Sequence, residues 1–218
     1  MKIFAISDIH GEKKYFDAGA GLIQSADLVI VAGDLTNRGD RKSAGDILSR
    51  IEGYTDRIVA VHGNWDPDPV ADLLRERGYS LHGRGRIIGG TGFFGVGGSN
   101  KTPMHMPSEY TDDELWKFLE AGYGEVRSAE KIVLISHAPP RKVRDKTFFG
   151  IHAGSSSISE FIQRNRVDLC ITGHIHEAFG EEYLNGCIVV NSGSFRKGRY
   201  STIDMGVSIT VELGRLQS

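Results

Sequence analysis

Carboxylate, carboxamide and imidazole side chains recur in this chain directly after short apolar runs. Five such runs are each followed within a few positions by Asp, Asn or His. The polar residues concerned are Asp8, His10, Asp34, Asn64, Asp66, His137, His174 and His176. Mixed oxygen and imidazole donors suit Mn, Fe, Co, Ni or Zn, whereas Mg and Ca prefer oxygen alone. The set exceeds what one ion needs, so it predicts two metal ions that share a carboxylate and promote phosphoryl displacement.

Taken one at a time, these residues have ordinary structural explanations. The Asp-x-His pair at residues 8–10 could be a capping aspartate beside a hydrogen-bonded histidine, and Asp34 could belong to a turn. His137 could likewise hydrogen-bond a turn. The His-x-His pair at residues 174–176 is stronger, because residues two apart in an extended segment point the same way. The agreement of five strand ends favours a functional site.

The apolar runs themselves predict buried strands, because they are short and rich in β-branched residues. The predicted strands are Ile3–Ile6, Leu28–Ala32, Ile58–Val61, Ile132–Ile135, Leu169–Ile171, Cys187–Val190 and Val207–Leu213. The predicted helices are Lys14–Gln24, Arg41–Glu52, Pro69–Glu76, Asp112–Gly122 and Ser157–Arg164. This alternation favours an α/β fold, in which ligands bind at the carboxyl ends of strands.

Two helix starts and two loops carry further signals. Thr111 followed by acidic residues is typical of an N-cap, and Ser157 with Glu160 resembles a capping box. The glycine-rich stretch 83–99 predicts strands and tight turns and does not match a phosphate-binding loop. The stretch 139–156 has two prolines, several basic residues and little periodicity, so it predicts a loop over the site.

Composition limits the class of protein. The chain has 218 residues, a net charge of −2, 25% charged and 39% hydrophobic residues, which predicts one globular domain over residues 1–218. The small net charge argues against stable nucleic-acid binding, and no apolar segment approaches a membrane span. Cys170 and Cys187 lie in apolar runs and predict buried reduced thiols. With no secretory signal pattern at the amino terminus, these features predict a cytoplasmic protein.

Three histidines fall outside the strand-end pattern. His62 continues an apolar strand, so a core or supporting role is expected. His82 and His105 have no supporting neighbours and are predicted to lie at the surface. No cysteine accompanies the metal-type residues, which argues against a structural thiolate zinc site.

In order and approximate spacing, these motifs resemble the calcineurin-like metallophosphoesterase family. The family pattern is D-x-H, G-D, G-N-H-D, a strand-terminal H and G-H-x-H, often followed by N-P-G-S. The corresponding segments here are Asp8-Ile9-His10, Gly33-Asp34, Gly63-Asn64-Trp65-Asp66, Ser136-His137, Gly173-His174-Ile175-His176 and Asn191-Ser192-Gly193-Ser194. The resemblance implies a four-layer αββα sandwich with two central mixed β-sheets.

The resemblance also implies how the side chains share two divalent transition-metal ions, with Mn expected first. The implied ligand sets are Asp8, His10 and His176 for the first ion, Asn64, His137 and His174 for the second, and Asp34 as the bridge. A hydroxide between the ions would attack the phosphorus, so Asp34 and Asn64 belong to the expected catalytic set.

The departure from the family pattern is Trp65, which stands where the pattern has a histidine. That histidine contacts the phosphate and assists the leaving group, whereas an indole is not basic and has only an N–H donor. Activity is still expected, because some members lack this histidine and remain hydrolases. Asp66 lacks the motif histidine that is its usual partner, so it is expected to accept a hydrogen bond from a backbone amide. Trp65 could pack against a loop or stack on a substrate ring.

A loop histidine is a further candidate for substrate contact. Similar small phosphoesterases carry an H-x-G-S segment, which resembles residues 152–155 here. His152 is therefore a candidate for phosphate contact and catalysis, with an ordinary loop histidine as the alternative. Asn64 and Trp65 complete the predicted substrate-binding set, and Asn100 and Arg141 are weaker candidates by location.

The expected function is hydrolysis of small phosphate esters, in particular diesters, with nucleotides among the candidate substrates. A homo-oligomer is compatible with the sequence. The alternative is a non-catalytic scaffold of the same fold that binds partner proteins, like the retromer subunit that resembles the family. The indole at position 65 favours the scaffold, whereas retention of all seven metal-type ligands favours the enzyme. A DNA-repair nuclease ranks last, because those proteins keep the histidine and add a capping domain.

Overall fold

The computed structural model of the protein describes residues 1–217. Its strands are β1 (Lys2–Ile6), β2 (Leu28–Ala32), β3 (Ile58–Val61), β4 (Arg84–Ile88), β5 (Thr91–Val96), β6 (Ser99–Asn100), β7 (Glu109–Tyr110), β8 (Lys131–Ser136), β9 (Leu169–Thr172), β10 (Gly180–Leu184), β11 (Cys187–Asn191), β12 (Arg199–Met205) and β13 (Ile209–Arg215). The first sheet has the order β13-β12-β1-β2-β3 and the second β10-β11-β9-β8-β5-β4, while β6 pairs with β7. Both large sheets are mixed, because parallel strands in the middle have antiparallel partners at the edges.

Helices cover the outer faces of the two sheets. They are α1 (Tyr15–Ala18), α2 (Ala20–Ser25), α3 (Arg41–Glu52), α4 (Asp68–Glu76), α5 (Asp112–Val126) and α6 (Ser156–Arg164), with short 3₁₀ helices at His176–Ala178 and Phe195–Lys197. None of the helices in residues 1–217 has the length and apolar character that crossing a bilayer requires.

Three buried clusters separate the four layers. The first cluster joins α1–α4 to one face of the first sheet and includes Phe4 and Ile6. The second lies between the sheets and includes Ile3 from the alternate face of β1. The third joins α5 and α6 to the second sheet and includes Phe161 and Leu134. Because both faces of each central strand are covered, the strands are continuously apolar. The predicted αββα sandwich is confirmed.

The predicted strands are found within two residues at each end. The last strand begins at Ile209 instead of Val207, which is fully exposed. The glycine-rich stretch 83–99 forms strands joined by turns, as predicted. Strands β7, β10 and β12 were not predicted. In β12, exposed and buried residues alternate and the sequence RYSTIDM is largely polar, so no apolar run marks it.

The helices need two corrections. The single helix predicted over Lys14–Gln24 is divided at Gly19 into α1 and α2. The capping residue of α6 is Ser155, whose hydroxyl accepts a hydrogen bond from the Ile158 amide, so the capping box predicted at Ser157 is wrong.

Other local predictions are confirmed. Thr111 caps α5 in a capping box that Glu114 completes. The stretch 139–156 is mainly a loop. Cys170 and Cys187 are buried and free, as expected for reduced thiols.

Candidate metal centre

The loops that follow β1, β2, β3, β8 and β9 meet at one edge of the sandwich. Direct contacts join loops from the two sheets. His137 Nδ1 lies 2.8 Å from the carbonyl oxygen of Ala32, and the His174 amide donates to Asp8 Oδ2 at 3.0 Å. Polar residues far apart in sequence are thus brought together at the carboxyl ends of the strands, where α/β proteins bind ligands.

One oxygen of Asp34 lies between two imidazoles from different loops. Asp34 Oδ2 is 3.6 Å from His10 Nε2 and 3.5 Å from His137 Nε2. His137 Nε2 is also 3.0 Å from Asn64 Oδ1. An oxygen in this position can contact two cations, one beside each imidazole.

Asp8 is at the centre of a second group of donors. Asp8 Oδ1 is 3.1 Å from His176 Nε2 and 3.9 Å from His10 Nε2. Donor atoms of Asp8, His10 and His176 lie within 4.8 Å of one another, and so do those of Asp8, Asp34 and His137. Each trio could hold one metal ion. Asp8 belongs to both trios, whereas the family resemblance assigns it to one ion.

The remaining candidate, His174, lies beside His137. Their ring centroids are 5.1 Å apart, and the rings meet edge to face. The rings of His10 and His176 are similarly close, with centroids 5.4 Å apart. All seven residues predicted as metal ligands therefore lie in one connected cluster.

Buried atoms of this cluster fit a bound cation. His10 Nδ1 is buried and has no hydrogen-bond partner, and buried Asp8 Oδ1 has only the 3.1 Å contact with His176 Nε2. A buried acceptor without a donor is costly, and a cation would satisfy it. His137 Nδ1 faces the Ala32 carbonyl, which can only accept, so this nitrogen carries the proton and Nε2 is available to a metal. Four imidazoles, two carboxylates and a carboxamide suit divalent transition metals.

Charges within the cluster shift its pKa values. Burial tends to raise the pKa of Asp8, but the hydrogen bond from His176 and the charge of His137 hold it well below its usual range. Burial tends to lower the pKa of His137, but the charge of Asp34 and its hydrogen bond raise it to about 9. Burial, followed by the charge of His137, lowers the pKa of His174 to about 4. At neutral pH His174 can therefore bind a cation directly, while His137 must release a proton first.

Four of the candidate ligands adopt left-handed backbone angles that residues other than glycine rarely take. The angle φ is 54° at Asp8, 50° at His10, 52° at Asp34 and 65° at His174. Asp and His are among the residues that tolerate this region best, at a cost of about 1–3 kcal/mol each. Strain of this kind concentrates at functional sites, so its occurrence here agrees with the donor geometry.

Two glycines allow the ligand loops to approach closely. A Cβ atom at Gly63 would lie 1.9 Å from Asp34 Oδ1, and one at Gly173 would lie 1.8 Å from Ser7 Oγ. Both distances are far inside van der Waals contact. The glycines before Asn64 and His174 are therefore required for packing.

The Asp66 carboxylate binds the loop after β2 to the loop after β3. Oδ2 accepts from the Gly63 and Leu35 amides at 2.9 and 3.0 Å, and Oδ1 accepts from the Thr36 amide and hydroxyl, both at 2.9 Å. The expected hydrogen bond from a backbone amide to Asp66 is confirmed, and three amides donate to this carboxylate. Burial and the charge of Asp34 raise the pKa of Asp66 to about 6, while these backbone hydrogen bonds lower it.

Trp65 contributes its backbone as well as its indole. The Trp65 amide donates to Asp34 Oδ1 at 2.9 Å, which leaves Oδ2 directed to the imidazoles. The half-buried indole meets the His10 ring edge to face at 5.9 Å, and the Arg38 guanidinium lies 5.5 Å from the ring centroid. The indole therefore forms one wall of the cluster.

The other predicted substrate contacts lie in separate cavities. His152 lines a cavity of about 280 Å³ together with Glu177, which follows His176 in sequence. Asn100 and Arg141 line another of about 330 Å³. Neither cavity is lined by a candidate metal ligand, so His152, Asn100 and Arg141 lie outside the donor cluster.

The remaining histidines divide into interior and surface residues. His62 is buried, as expected, and its Nε2 lies 3.0 Å from the Tyr110 hydroxyl. The surface prediction for His82 is wrong, because its Nδ1 accepts from the Gly97 amide and its ring lies 4.1 Å from that of Phe118. His105 is exposed, as predicted.

Asn191 is a supporting residue, which the sequence analysis placed in a family-like segment without giving it a role. Its side-chain amide is buried and donates to the carbonyls of Gly173 and Ile175 at 3.1 and 3.0 Å. These bonds fix the loop that carries His174 and His176. The sequence carried a signal for this role, because Asn191 directly follows the apolar run Cys187–Val190, just as the candidate ligands follow their strands.

The chain belongs to the calcineurin-like phosphoesterase family, whose model matches residues 1–178. It is also 34% identical over 199 residues to the uncharacterized protein MJ1162 of Methanocaldococcus jannaschii, covering 88% of this chain and 87% of that protein. Family membership and the donor cluster define a metal-dependent phosphoesterase that acts on small phosphate esters.

Solved structures share the fold at low sequence identity. TT1561 of Thermus thermophilus aligns with a TM-score of 0.74 at 17% identity, covering 99% of both chains. A dimetal phosphatase from Danio rerio gives 0.67 at 12% identity, covering 99% of this chain and 96% of that chain. An archaeal phosphodiesterase gives 0.59 at 15% identity, covering 99% and 100%. At these identities the likeness concerns the fold alone.

Proposed function

We propose that the protein hydrolyses phosphate diesters at a centre of two divalent transition-metal ions, with Mn the first expected. The proposed ligands are Asp8, His10 and His176 for one ion, Asn64, His137 and His174 for the other, and Asp34 for both. When bound, the ions would supply Lewis acidity and lower the pKa of water. The observation that supports this proposal best is Asp34 Oδ2, which is 3.6 Å from His10 Nε2 and 3.5 Å from His137 Nε2.

The chain orients its own groups for this role. The Trp65 amide holds Asp34 Oδ1, so the other carboxylate oxygen is directed to the imidazoles. The Ala32 carbonyl fixes the tautomer of His137. Asn64 adds a neutral oxygen, which offers a contact to a cation or a substrate without adding negative charge. These fixed positions reduce the reorganisation that binding requires.

The leaving group determines which esters should react fastest. Trp65 cannot donate a proton as the family histidine does, so esters with aryl leaving groups should react faster than alkyl esters. We assign Trp65 and His152 to the substrate-binding region on this basis. The indole forms a wall of the cluster, and His152 lies in the cavity beside it.

We further propose that the chain works as one metallophosphoesterase domain in the cytoplasm. The cluster between the sheets combines residues from early and late parts of the chain, including Ile3 and Ile203, which supports one domain. Free, buried Cys170 and Cys187 suit a reducing compartment.

Metal analysis of chelated and reloaded protein tests the dinuclear proposal. We expect two Mn ions per chain, with hydrolysis of bis(4-nitrophenyl) phosphate lost on chelation and restored on reloading. Asp34→Asn should weaken both ions, whereas His10→Asn should weaken one. The matched control is His105→Asn, because His10 and His105 share a left-handed φ, of 50° and 49°, and His105 is exposed.

Two results would contradict the proposal in different ways. Saturation at one ion per folded chain, or Asp34→Asn with unchanged metal content, would refute the bridged centre. Binding of two ions without hydrolysis of any mono-, di- or cyclic nucleotide ester would favour the scaffold function, for which the indole at position 65 is the supporting observation.

A further inference from the structure

The loop between β8 and α6 holds a carboxylate and an imidazole in close contact. Asp145 Oδ1 lies 2.6 Å from His152 Nδ1. The Asp145 side chain is almost completely buried, with 1% exposed, whereas 34% of the His152 side chain is exposed. A buried carboxylate therefore holds an imidazole whose other edge reaches solvent.

The surroundings of Asp145 determine which nitrogen of His152 carries the proton. Asp145 Oδ2 accepts from the Lys142 amide at 2.9 Å and from the Gly154 amide at 3.1 Å. Since the groups around this carboxylate are donors, it acts as an acceptor, and His152 Nδ1 must be the donor to Oδ1. Nε2 is then left for another partner.

The backbone of the loop keeps this pair in place. Isolated β-bridges join Pro140 to Ser155 and Lys146 to His152. The Ala153 amide also donates to the carbonyl of Asp145 at 3.1 Å. Backbone bridges therefore hold the loop that carries the imidazole, and the first bridge residue, Pro140, lies three residues after His137.

The cavity beside His152 is also lined by Glu177 and Ala178, which directly follow the candidate ligand His176. Its lining includes Lys142, Arg144, His152, Glu177, Ala178 and Glu182. The Arg144 guanidinium donates to the carbonyls of Ala178 and Phe179. The loop is therefore attached to the short helix that begins at His176. A substrate with its phosphoryl group at the metal ligands could extend its leaving group past His176 into this cavity.

Asp145 and His152 supply a hydrogen-bonded imidazole, which the segment 63–66 lacks. Asp66 uses its acceptors to join two loops, and Trp65 has no basic nitrogen. Asp145 and His152 offer a buried acceptor and a titratable imidazole at a neighbouring position.

We propose that His152 is the proton donor to the leaving-group oxygen and that Asp145 is its positioning residue; this rests on the proposed phosphoesterase function. Water releases one proton to solvent and adds its oxygen to phosphorus as the bond to the leaving oxygen breaks, and the bonding electron pair stays with the leaving oxygen. The proton on Nε2 of the imidazolium moves to the leaving oxygen, and solvent later reprotonates the imidazole. The substrates that require this step are alkyl phosphate esters, because alkoxides leave poorly without a proton.

Turnover of two diesters tests the proposal. Bis(4-nitrophenyl) phosphate has an aryl leaving group, and dithymidine phosphate has an alkyl one. In Mn-loaded protein, His152→Ala should lower kcat on dithymidine phosphate by about 10²–10⁴-fold and change the aryl ester by less than about 3-fold. Added imidazole should partly restore the alkyl reaction. His105→Asn is the control and should affect neither substrate.

Asp145→Asn tests the positioning role with readouts that a structural residue would not move. On the alkyl ester, Asp145→Asn should lower kcat more than it changes KM, because the imidazole is no longer held in place. In metal-free protein, ¹⁵N NMR should report the proton of neutral His152 on Nδ1, and Asp145→Asn should shift the tautomer ratio towards Nε2.

The failures of the two proposals are distinguishable. If Mn-loaded wild-type protein hydrolyses neither ester, the phosphoesterase proposal is wrong and the proton-donor assignment fails with it. If the aryl ester is hydrolysed and His152→Ala slows both esters equally, or neither, only the proton-donor assignment is overturned. An Asp145→Asn protein with an unchanged tautomer ratio and unchanged kcat on the alkyl ester would refute the positioning role.

Discussion

Asp66→Asn is predicted to destabilise the protein through hydrogen bonds alone. The substitution keeps the shape of the side chain but replaces one acceptor oxygen with an NH₂ group. Each carboxylate oxygen of Asp66 accepts two hydrogen bonds, one pair from Gly63 and Leu35 and the other from Thr36. The amide can satisfy one pair only. The better orientation turns NH₂ toward Thr36, whose hydroxyl can accept, and leaves the Thr36 amide unpaired.

The magnitude follows from this single unpaired group. Asp66 is 0% and Thr36 2% exposed, so water cannot replace the lost acceptor. A buried unpaired N–H costs about 1–3 kcal/mol. The loss of a buried charge near Asp34 offsets part of this, since burial and Asp34 raise the pKa of Asp66 to about 6. We expect a net loss of about 2 kcal/mol, which lowers Tm by about 4–8 °C in a chain of this size.

Urea unfolding of the chelated protein measures this loss without a contribution from bound metal. Asp40→Asn is the matched control, because the exposed Asp40 carboxylate accepts from the Ser43 amide as an N-cap and Asn caps equally well. Its stability should change by less than about 0.5 kcal/mol. Equal unfolding free energies for Asp66→Asn and Asp40→Asn would show that Asp66 does not hold the two loops together.

Two further predictions concern the same segment. Gly63→Ala should cost about 3 kcal/mol in urea unfolding, because its methyl group would lie 1.9 Å from Asp34 Oδ1. Gly124→Ala in α5, where nothing lies within 4 Å of the added carbon, should be neutral or stabilising, and equal losses at the two glycines would contradict the packing argument. In a His152→Ala background, which lacks the proposed proton donor, Trp65→His should raise kcat for alkyl esters more than for aryl esters at constant metal content. An equal change on both would exclude a missing proton donor at position 65, and a rise in KM confined to nucleotides would indicate stacking.

The metal cluster could be predicted from sequence because its signal is local. Asp34 and His137 each follow an apolar strand, and parallel strands end at a common edge. The same reasoning could not find Asp145, which lies within an irregular loop. Its importance depends on burial and on a 2.6 Å contact with His152 that no periodicity encodes. Sequence reasoning therefore finds donors that directly follow an apolar strand and misses Asp145, whose position depends on contacts within a loop.

The errors in secondary structure have physical causes of the same kind. Apolar patterning continues across Gly19, so it indicates one helix where the chain forms two short ones. In β12 the outward-facing residues are polar, as expected for a strand near the sheet edge, so the apolar signal is diluted. His82 is held by Gly97 and Phe118, which are distant in sequence, so its neighbours along the chain gave no indication of burial.

The pairing of β1 with β12 has a consequence for the order in which the protein assembles during synthesis. Lys2 pairs with Asp204, and the backbone of Ser7 accepts from the Phe195 amide at 2.8 Å. The amino-terminal strand therefore leaves the ribosome long before its antiparallel partner exists. Until then, β1 presents an unpaired edge that can recruit another nascent chain. The loop of Asp8 also lacks the Ser194 hydroxyl that donates to its carbonyl at 3.0 Å. The final geometry of this loop must wait until Ser194 has been synthesised, and such long-range closure makes folding slow.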